Sequence, residues 1–393
     1  MIYWDNAATT YPKPKPVREC MSNALIQYGA NPGRGGHAMA FHTSEAVYRA
    51  RQTAATLFGA DSPDSVVFTL NCTMALNMVV KGLPLQGGKV LISDIEHNAV
   101  LRPLFAQYPL RYEIVFTNPA NHEQTVENFR RAITADTRLI LCSHASNVWG
   151  SVQPIREIGA LAKAHHIPFA VDAAQSAGVL PIDMQKDNIN FLCVAGHKGL
   201  YGPMGTGMLL TSGQYPLSAI FQGGTGSRSA DPKQPDMWPD HMESGTPNTV
   251  GICALHAGMR WVMGQGIANI GQHEMRLIQT VYRALQRTDG VILYTPYPLY
   301  GQSVPVLSFN IAGMASEEVA AQLNEAGIAV RAGLQCAPLA HQKYGTKDCG
   351  TVRLAPSRYS TVAESEKIIK IIQQIAKKAL QTTKNNGKIN KGI

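Results

Sequence analysis

Lys198 follows the run Phe191-Leu192-Cys193-Val194-Ala195-Gly196-His197, an apolar stretch of strand length, and a Gly/Pro-rich loop from Gly199 to Gly207 comes after it. A lysine at the mouth of a buried strand is partly desolvated. Desolvation disfavours the ammonium and frees the amine to attack a carbonyl. A lysine holds pyridoxal 5'-phosphate (PLP) by that chemistry. A second apolar run, Ile167-Pro168-Phe169-Ala170-Val171-Asp172, ends in an acid. PLP works as an electron sink while its pyridine nitrogen stays protonated, and a buried carboxylate beside that nitrogen keeps it so. Open α/β sheets gather ligands at the carboxyl ends of their strands, where both residues fall. The other reading of Asp172 is a cap on a helix that follows it.

Further residues suit a phosphorylated cofactor and an amino acid. Asn71-Cys72-Thr73 follows the apolar run Val66–Leu70 and opens a helical pattern. Backbone N–H groups at a helix start, together with the helix dipole, favour an anion such as phosphate. A plain N-cap is the local alternative. Arg353 stands between apolar Val352 and Leu354. Its planar guanidinium can bind a carboxylate through two hydrogen bonds, against the alternative of a solvated edge arginine. His37, His42, His97, His165 and His166 show no metal-ligand spacing.

With these residues in view, the chain resembles the class V aminotransferase family of PLP fold type I. Within that family it resembles the type II branch of cysteine desulfurases and selenocysteine lyases, as a divergent subgroup. The likeness runs from Asp5-Asn6-Ala7-Ala8-Thr9-Thr10 to Val352-Arg353-Leu354. Its landmarks are Asn31-Pro32-Gly33-Arg34-Gly35-Gly36-His37, Glu96-His97-Asn98-Ala99, Ser146-Asn147, Asp172-Ala173-Ala174-Gln175, Gly196-His197-Lys198, Gly245-Thr246-Pro247-Asn248-Thr249 and Arg331-Ala332-Gly333-Leu334-Gln335-Cys336.

The resemblance implies a role for each site residue. Lys198 carries PLP, and Asp172 faces the ring nitrogen. His97 stacks on the ring and shuttles protons, since an imidazole titrates near neutral pH. Gln175 bonds the phenolate oxygen, and Asn147 lies near that oxygen and the substrate carboxylate. Cys72, Thr73, His197 and Thr246 belong to the phosphate site. Thr246 serves the partner subunit's cofactor, so a homodimer with shared active sites is implied. Arg353 takes the α-carboxylate of the substrate. Cys336 sits in an Arg-x-Gly-x-x-Cys pattern that matches a persulfide-forming loop, and a nearby arginine or protonated His97 would favour its thiolate.

The implied reaction converts L-cysteine to L-alanine and leaves a persulfide on Cys336 for transfer to a sulfur-acceptor protein. L-Selenocysteine is a substitute substrate. The alternatives are selenocysteine lyase, another class V aminotransferase or lyase, and a non-catalytic PLP-fold partner protein. Three places depart from the type II pattern: Ala195 where serine is usual, Met74 where an acid is frequent, and the loop Gly223-Gly224-Thr225-Gly226-Ser227-Arg228.

Composition limits the other classes. With 45% hydrophobic and 16% charged residues, the chain has the balance of a soluble globular enzyme. No apolar run has the length of a membrane helix, and Met1 to Pro16 lacks the pattern of a signal peptide. The 7 cysteines form no C-x-x-C pair, which suits reduced thiols in a cytoplasm. The net charge of +8 is concentrated after Glu366, where seven lysines and no acid occur. That distribution gives no nucleic-acid groove with interleaved aromatics, and none is expected.

The elements that must position these residues alternate. Strand-like runs at Val66–Leu70, Val90–Ile92, Ile114–Phe116, Leu139–Ser143, Phe169–Asp172, Phe191–Ala195 and Gly207–Leu210 are separated by helical patterns such as Pro154 to His166. This alternation predicts an α/β fold with a seven-stranded, mostly parallel sheet, followed by a small α+β domain at the C-terminal end. The small unit is expected to hold strands near Val306–Phe309 and Thr351–Leu354 and helices at Ser316–Ala326 and Thr361–Ala379. Gly213 to Asn248 reads as long loops, which in a domain of this kind are usually functional. The expected boundaries are a large PLP-binding domain over 12–262, a small domain from 1–11 and 263–380, and a mobile basic tail over 381–393.

Overall fold

The structure, a computed structural model, describes residues 1–33, 35–107 and 109–389. Its strands are β1 (Ile2–Tyr3), β2 (Val66–Thr69), β3 (Lys89–Ser93), β4 (Arg111–Val115), β5 (Thr137–Ser143), β6 (Phe169–Asp172), β7 (Phe191–Ala195), β8 (Gly207–Thr211), β9 (Val291–Leu293), β10 (Leu307–Ile311), β11 (Ile328–Ala329) and β12 (Val352–Leu354). Two units form. One holds Pro12–His144 and Gln153–Ile267, and the other holds Met1–Tyr11, Ala145–Val152 and Ala268–Ile393.

The larger unit is built on a 7-stranded sheet in the order β2-β8-β7-β6-β5-β3-β4. Strands β4, β3, β5, β6 and β7 run parallel, and β8 is antiparallel to both β7 and β2. The central strands read as unbroken apolar runs because both of their faces are covered. Every residue of β6, β7 and β8 is buried. At the edge, β4 exposes Arg111, Tyr112 and Glu113. Phe58, Phe129, Ile140, Phe169, Val171, Leu192 and Val194 share one core cluster. After β8 no helix or strand forms until the helix Thr249–Gln265, as the Gly-rich loop composition predicts.

The smaller unit has an antiparallel sheet in the order β12-β10-β9 and a parallel pair of β1 with β11. Trp4, Phe309, Val352 and Leu354 share its core with Ile368, Ile372, Ile375 and Ala376 of the last helix. That helix runs from Val362 to Ile389, well past the expected end at Ala379. No proline interrupts the stretch, and Leu380 and Gln381 are good helix formers. The helix thus covers residues 381–389 of the expected tail, and residues 390–393 lie outside the described residues.

Two domain boundaries also differ from expectation. Ala145–Val152 groups with the smaller unit because its hydrogen bonds go there: Val152 N–H donates to Gln302 O, and Ser308 Oγ donates to Val148 O. Residues 263–266 finish the helix Thr249–Gln265 and its cap and Ile267 opens the next helix, and all five group with the larger unit. Among the described residues, no helix is long and apolar enough to cross a membrane.

Candidate active site

Asp172 ends β6, and Lys198 follows β7 by three residues, so both lie at the carboxyl edge of the sheet. Asp172 is 5% exposed. Its Oδ1 accepts the Ala174 N–H at 2.8 Å and the Cys72 thiol at 3.4 Å. No helix follows Asp172, so the helix-cap alternative is not met: Oδ1 instead holds the turn after β6, while Oδ2 takes part in neither bond. Burial and the Asp172 carboxylate push the Cys72 thiol well up, and the Lys198 charge opposes them. Cys72 is accordingly a protonated donor at this site.

Glycines let the Lys198 loop close on the turn after Asp172. A Cβ on Gly178 would fall 2.2 Å from Gly199 O, and one on Gly199 would fall 2.3 Å from Ala177 O. Side chains at either position would separate the two loops.

Asn71 caps the helix Cys72–Gly82, with Oδ1 accepting the Met74 N–H at 2.9 Å. The N-cap reading and the anion-site reading are compatible, since a capped helix start still presents its N–H groups. Thr73 is exposed on the first turn. His97 caps the next helix, Asn98–Phe105, with Nδ1 accepting the Ala99 N–H at 3.0 Å. That bond assigns the proton of the neutral ring to Nε2. Gln175 is half-buried in the turn after Asp172. His197 is held down to about 4 by burial and by the Lys198 and Lys13 charges, so it is a neutral imidazole. Thr246 is exposed in the long loop and accepts from Asn31 Nδ2 at 3.3 Å. It lines a cavity of about 530 Å³ with Thr69, Gly205 and Gly207.

The smaller unit brings together the other expected residues. Arg353, in β12, is 2% exposed. Its Nη2 pairs with Asp5 Oδ1 at 2.8 Å, its Nη1 donates to Asn147 O at 2.9 Å, and its buried Nε has no partner. The solvated-edge reading of Arg353 is ruled out by this burial. Asn147 Nδ2 donates to Gln335 O at 2.7 Å. Cys336 is exposed, with Arg331 Nη2 4.0 Å from its sulfur.

Three residues received no role from the sequence, although Glu96 and Asp5 stand in its landmark runs. Lys13 donates to His197 O at 2.7 Å, and burial lowers it to about 8. Glu96 is fully buried and accepts from Ser143 N at 2.8 Å, Ser143 Oγ at 2.7 Å and Ser93 Oγ. It fastens the loop bearing His97 to the end of β5, and burial raises it to about 7. Asp5 is the third. Its place in a landmark motif was visible, but its pairing with Arg353 joins residues far apart in sequence. Among the described residues, no group of three or more His, Cys, Asp and Glu is placed to hold a metal ion.

The strand-end cluster fits PLP. A lysine and a buried carboxylate with an oxygen left over both act on the Cys72 thiol, and a capped helix start follows β2. Such an arrangement on a mostly parallel sheet defines a PLP-dependent enzyme of fold type I. The chain belongs to the aminotransferase class-V family, whose model matches residues 2–368.

Relatives narrow the class. A probable cysteine desulfurase of Methanothermobacter thermautotrophicus is 34% identical over 95% of this chain and 94% of its own length. The apo structure of a cysteine desulfurase from Thermococcus onnurineus superposes with a TM-score of 0.88 at 31% identity, covering 96% of this chain and 94% of that one. The cysteine desulfurase CsdA of Escherichia coli, in an S-sulfonic acid form, gives 0.85 at 26% identity over 97% and 94%.

Proposed function

We propose that this chain is a PLP-dependent cysteine desulfurase that converts L-cysteine to L-alanine and keeps the sulfur as a persulfide on Cys336. The observation that carries this reading is the exposed Cys336 thiol beside Arg331, in a chain that matches cysteine desulfurases over nearly its whole length. When bound, the cofactor supplies an electron sink that makes the substrate Cα proton removable.

The chain's own residues do the rest. Lys198 Nζ would hold the cofactor and then carry the Cα proton. Asp172 would keep the ring nitrogen protonated through its carboxylate. Gln175 and Asn147 would bond the phenolate oxygen, and His97 would face the ring and pass protons through Nε2. Cys72, Thr73 and His197 would hold the phosphate. Arg353 holds the substrate carboxylate.

Cys336 Sγ, as thiolate, then attacks the substrate sulfur. An S–S bond forms and the substrate's C–S bond breaks. The bonding pair stays on carbon, which takes a proton and becomes the methyl group of L-alanine. Thiol plus cysteine gives persulfide plus alanine, so atoms and electrons balance without an outside oxidant.

A second copy of the chain completes the site in this reading. Exposed Phe41 and Tyr48, seven residues apart on one face of the helix Ala38–Phe58, supply apolar surface for it. Thr246 would then serve the partner's cofactor. A sulfur-acceptor protein would take the persulfide sulfur, in a cytoplasm that keeps the cysteines reduced.

The test is product analysis with L-cysteine, scoring alanine and sulfide together, on the wild type and on Cys336→Ser. The expected result is equal alanine and sulfide from the wild type in the presence of a thiol reductant. Cys336→Ser should keep its cofactor spectrum and form almost no alanine. Full desulfuration by Cys336→Ser, or pyruvate in place of alanine in the wild type, sinks the reading.

A further inference from the structure

Two consecutive non-glycine residues, Gln335 (φ 43°) and Cys336 (φ 58°), hold left-handed backbone conformations. Residues with a Cβ seldom adopt that region and stay there only where their surroundings over-determine it. Gln335 supplies that constraint. It is buried, and its Nε2 donates to Thr351 O at 2.8 Å. Its Oε1 accepts from His341 Nε2 at 2.9 Å and from Thr351 Oγ1 at 3.4 Å. Its backbone carbonyl accepts from Asn147 Nδ2 at 2.7 Å.

The tautomer of His341 follows from this network. The Gln335 amide nitrogen is the donor, so its oxygen must accept, and His341 Nε2 carries the proton. His341 Nδ1 then accepts from the Thr346 hydroxyl at 2.8 Å. Burial lowers His341 to about 4, which keeps the ring neutral as this arrangement requires. One residue of the left-handed pair is therefore anchored on every polar atom of its side chain. The other is exposed and carries the thiol.

We propose that Gln335, held by His341, is a positioning residue that imposes the left-handed turn and so presents the Cys336 thiol for sulfur transfer. The proposal rests on the reading of Cys336 as the persulfide-forming residue. Gln335 acts through Cys336, and the network exists to fix a geometry that the backbone alone would abandon. Displacing a reacting group by about 1 Å costs on the order of a hundredfold in rate.

The test is Gln335→Met, nearly the same shape without the side-chain hydrogen bonds. For alanine formation from L-cysteine, kcat should fall about ten- to a hundredfold with KM changed less than about twofold. The cofactor absorbance and the spectral titration with L-alanine should stay as in the wild type. His341→Leu should behave likewise, and His341→Gln, which keeps a donor for Gln335, should recover part of kcat. If Gln335→Met is poorly folded, Thr346→Val loosens His341 alone and should lower kcat in the same sense.

An unchanged kcat in a folded Gln335→Met or Thr346→Val variant overturns the proposal. So does a joint fall of kcat, L-alanine binding and melting temperature, which would make the network a support of the fold only. Cys336→Ser, measured alongside, separates the two ideas. If it keeps desulfurating, the reading of Cys336 has failed. If it is inactive while Gln335→Met is unaffected, only the positioning role has.

Discussion

The two regions that carry the proposed chemistry are built in different ways. In the larger unit, Asp172 and Lys198 stand at the ends of adjacent, fully buried strands, and their places follow from the sheet itself. In the smaller unit, Cys336 sits on a turn that no regular element dictates, and Gln335, Asn147, His341 and Thr351 hold it by side-chain bonds. The first arrangement is fixed by backbone ladders and core packing. The second depends on a few buried polar atoms, each costly to leave unpaired. Strand ends suit a cofactor that must stay. A thiol that must receive and then release a sulfur suits an exposed turn fastened from beneath.

Lys198→Ala should give the largest effect and test whether the regions are separable. It should abolish both the visible absorbance of bound PLP and all alanine formation, because no other positioned amine replaces it. Alkylation of Cys336 by iodoacetamide, measured without substrate, should proceed at the wild-type rate. A slowed alkylation would show that the thiol turn depends on the strand-end region after all.

Asp5→Asn probes the smaller unit alone. Arg353 is almost fully buried, and a buried cation that loses its counter-ion destabilises the fold by about 3 kcal/mol. The variant should unfold at lower urea and show a KM for L-cysteine raised roughly tenfold, an effect of about 1.4 kcal/mol on carboxylate binding. The cofactor absorbance should not change. An unaltered KM would separate Asp5 from substrate recognition.

The smallest effect is a difference in pH response. Burial raises Glu96 to about 7 in the larger unit, above an unfolded value of about 4.3. Its contribution to stability is therefore full at acid pH and is lost as pH rises through about 7. Burial lowers His341 in the smaller unit, and His144 in the larger, to about 4, below an unfolded value of about 6.5. Their contribution is full above about 6.5 and is lost as pH falls towards 4. Glu96→Gln should remove a fall in stability between about pH 4.3 and 7, read as urea midpoints across that range, and leave the slope above about pH 7.5 alone. A variant with the wild-type slope between those values would remove Glu96 as a source of it.

Legibility in the sequence followed the same division. The seven strands of the large sheet were readable because buried parallel strands are short apolar runs with turn residues at their ends. Phe169–Asp172 and Phe191–Ala195 match to the residue. The pairs β1 with β11 and β10 with β9 were not read, since two- and three-residue strands leave no periodicity. Glu96 stood in a landmark run but, like Lys13, was given no role, because their partners Ser143 and His197 lie far away in sequence.

By itself the sequence determined the class of chemistry. An apolar run that ends in a lysine, another that ends in an aspartate, and an arginine between apolar neighbours carry their meaning locally, through desolvation and strand geometry. Tertiary structure alone decided how the remaining groups are held. Asp5 meets Arg353, Asn147 meets Gln335, and Gln335 meets His341 only after the chain has folded. Hydrogen bonds between distant residues depend on three-dimensional register, and a linear pattern does not record it.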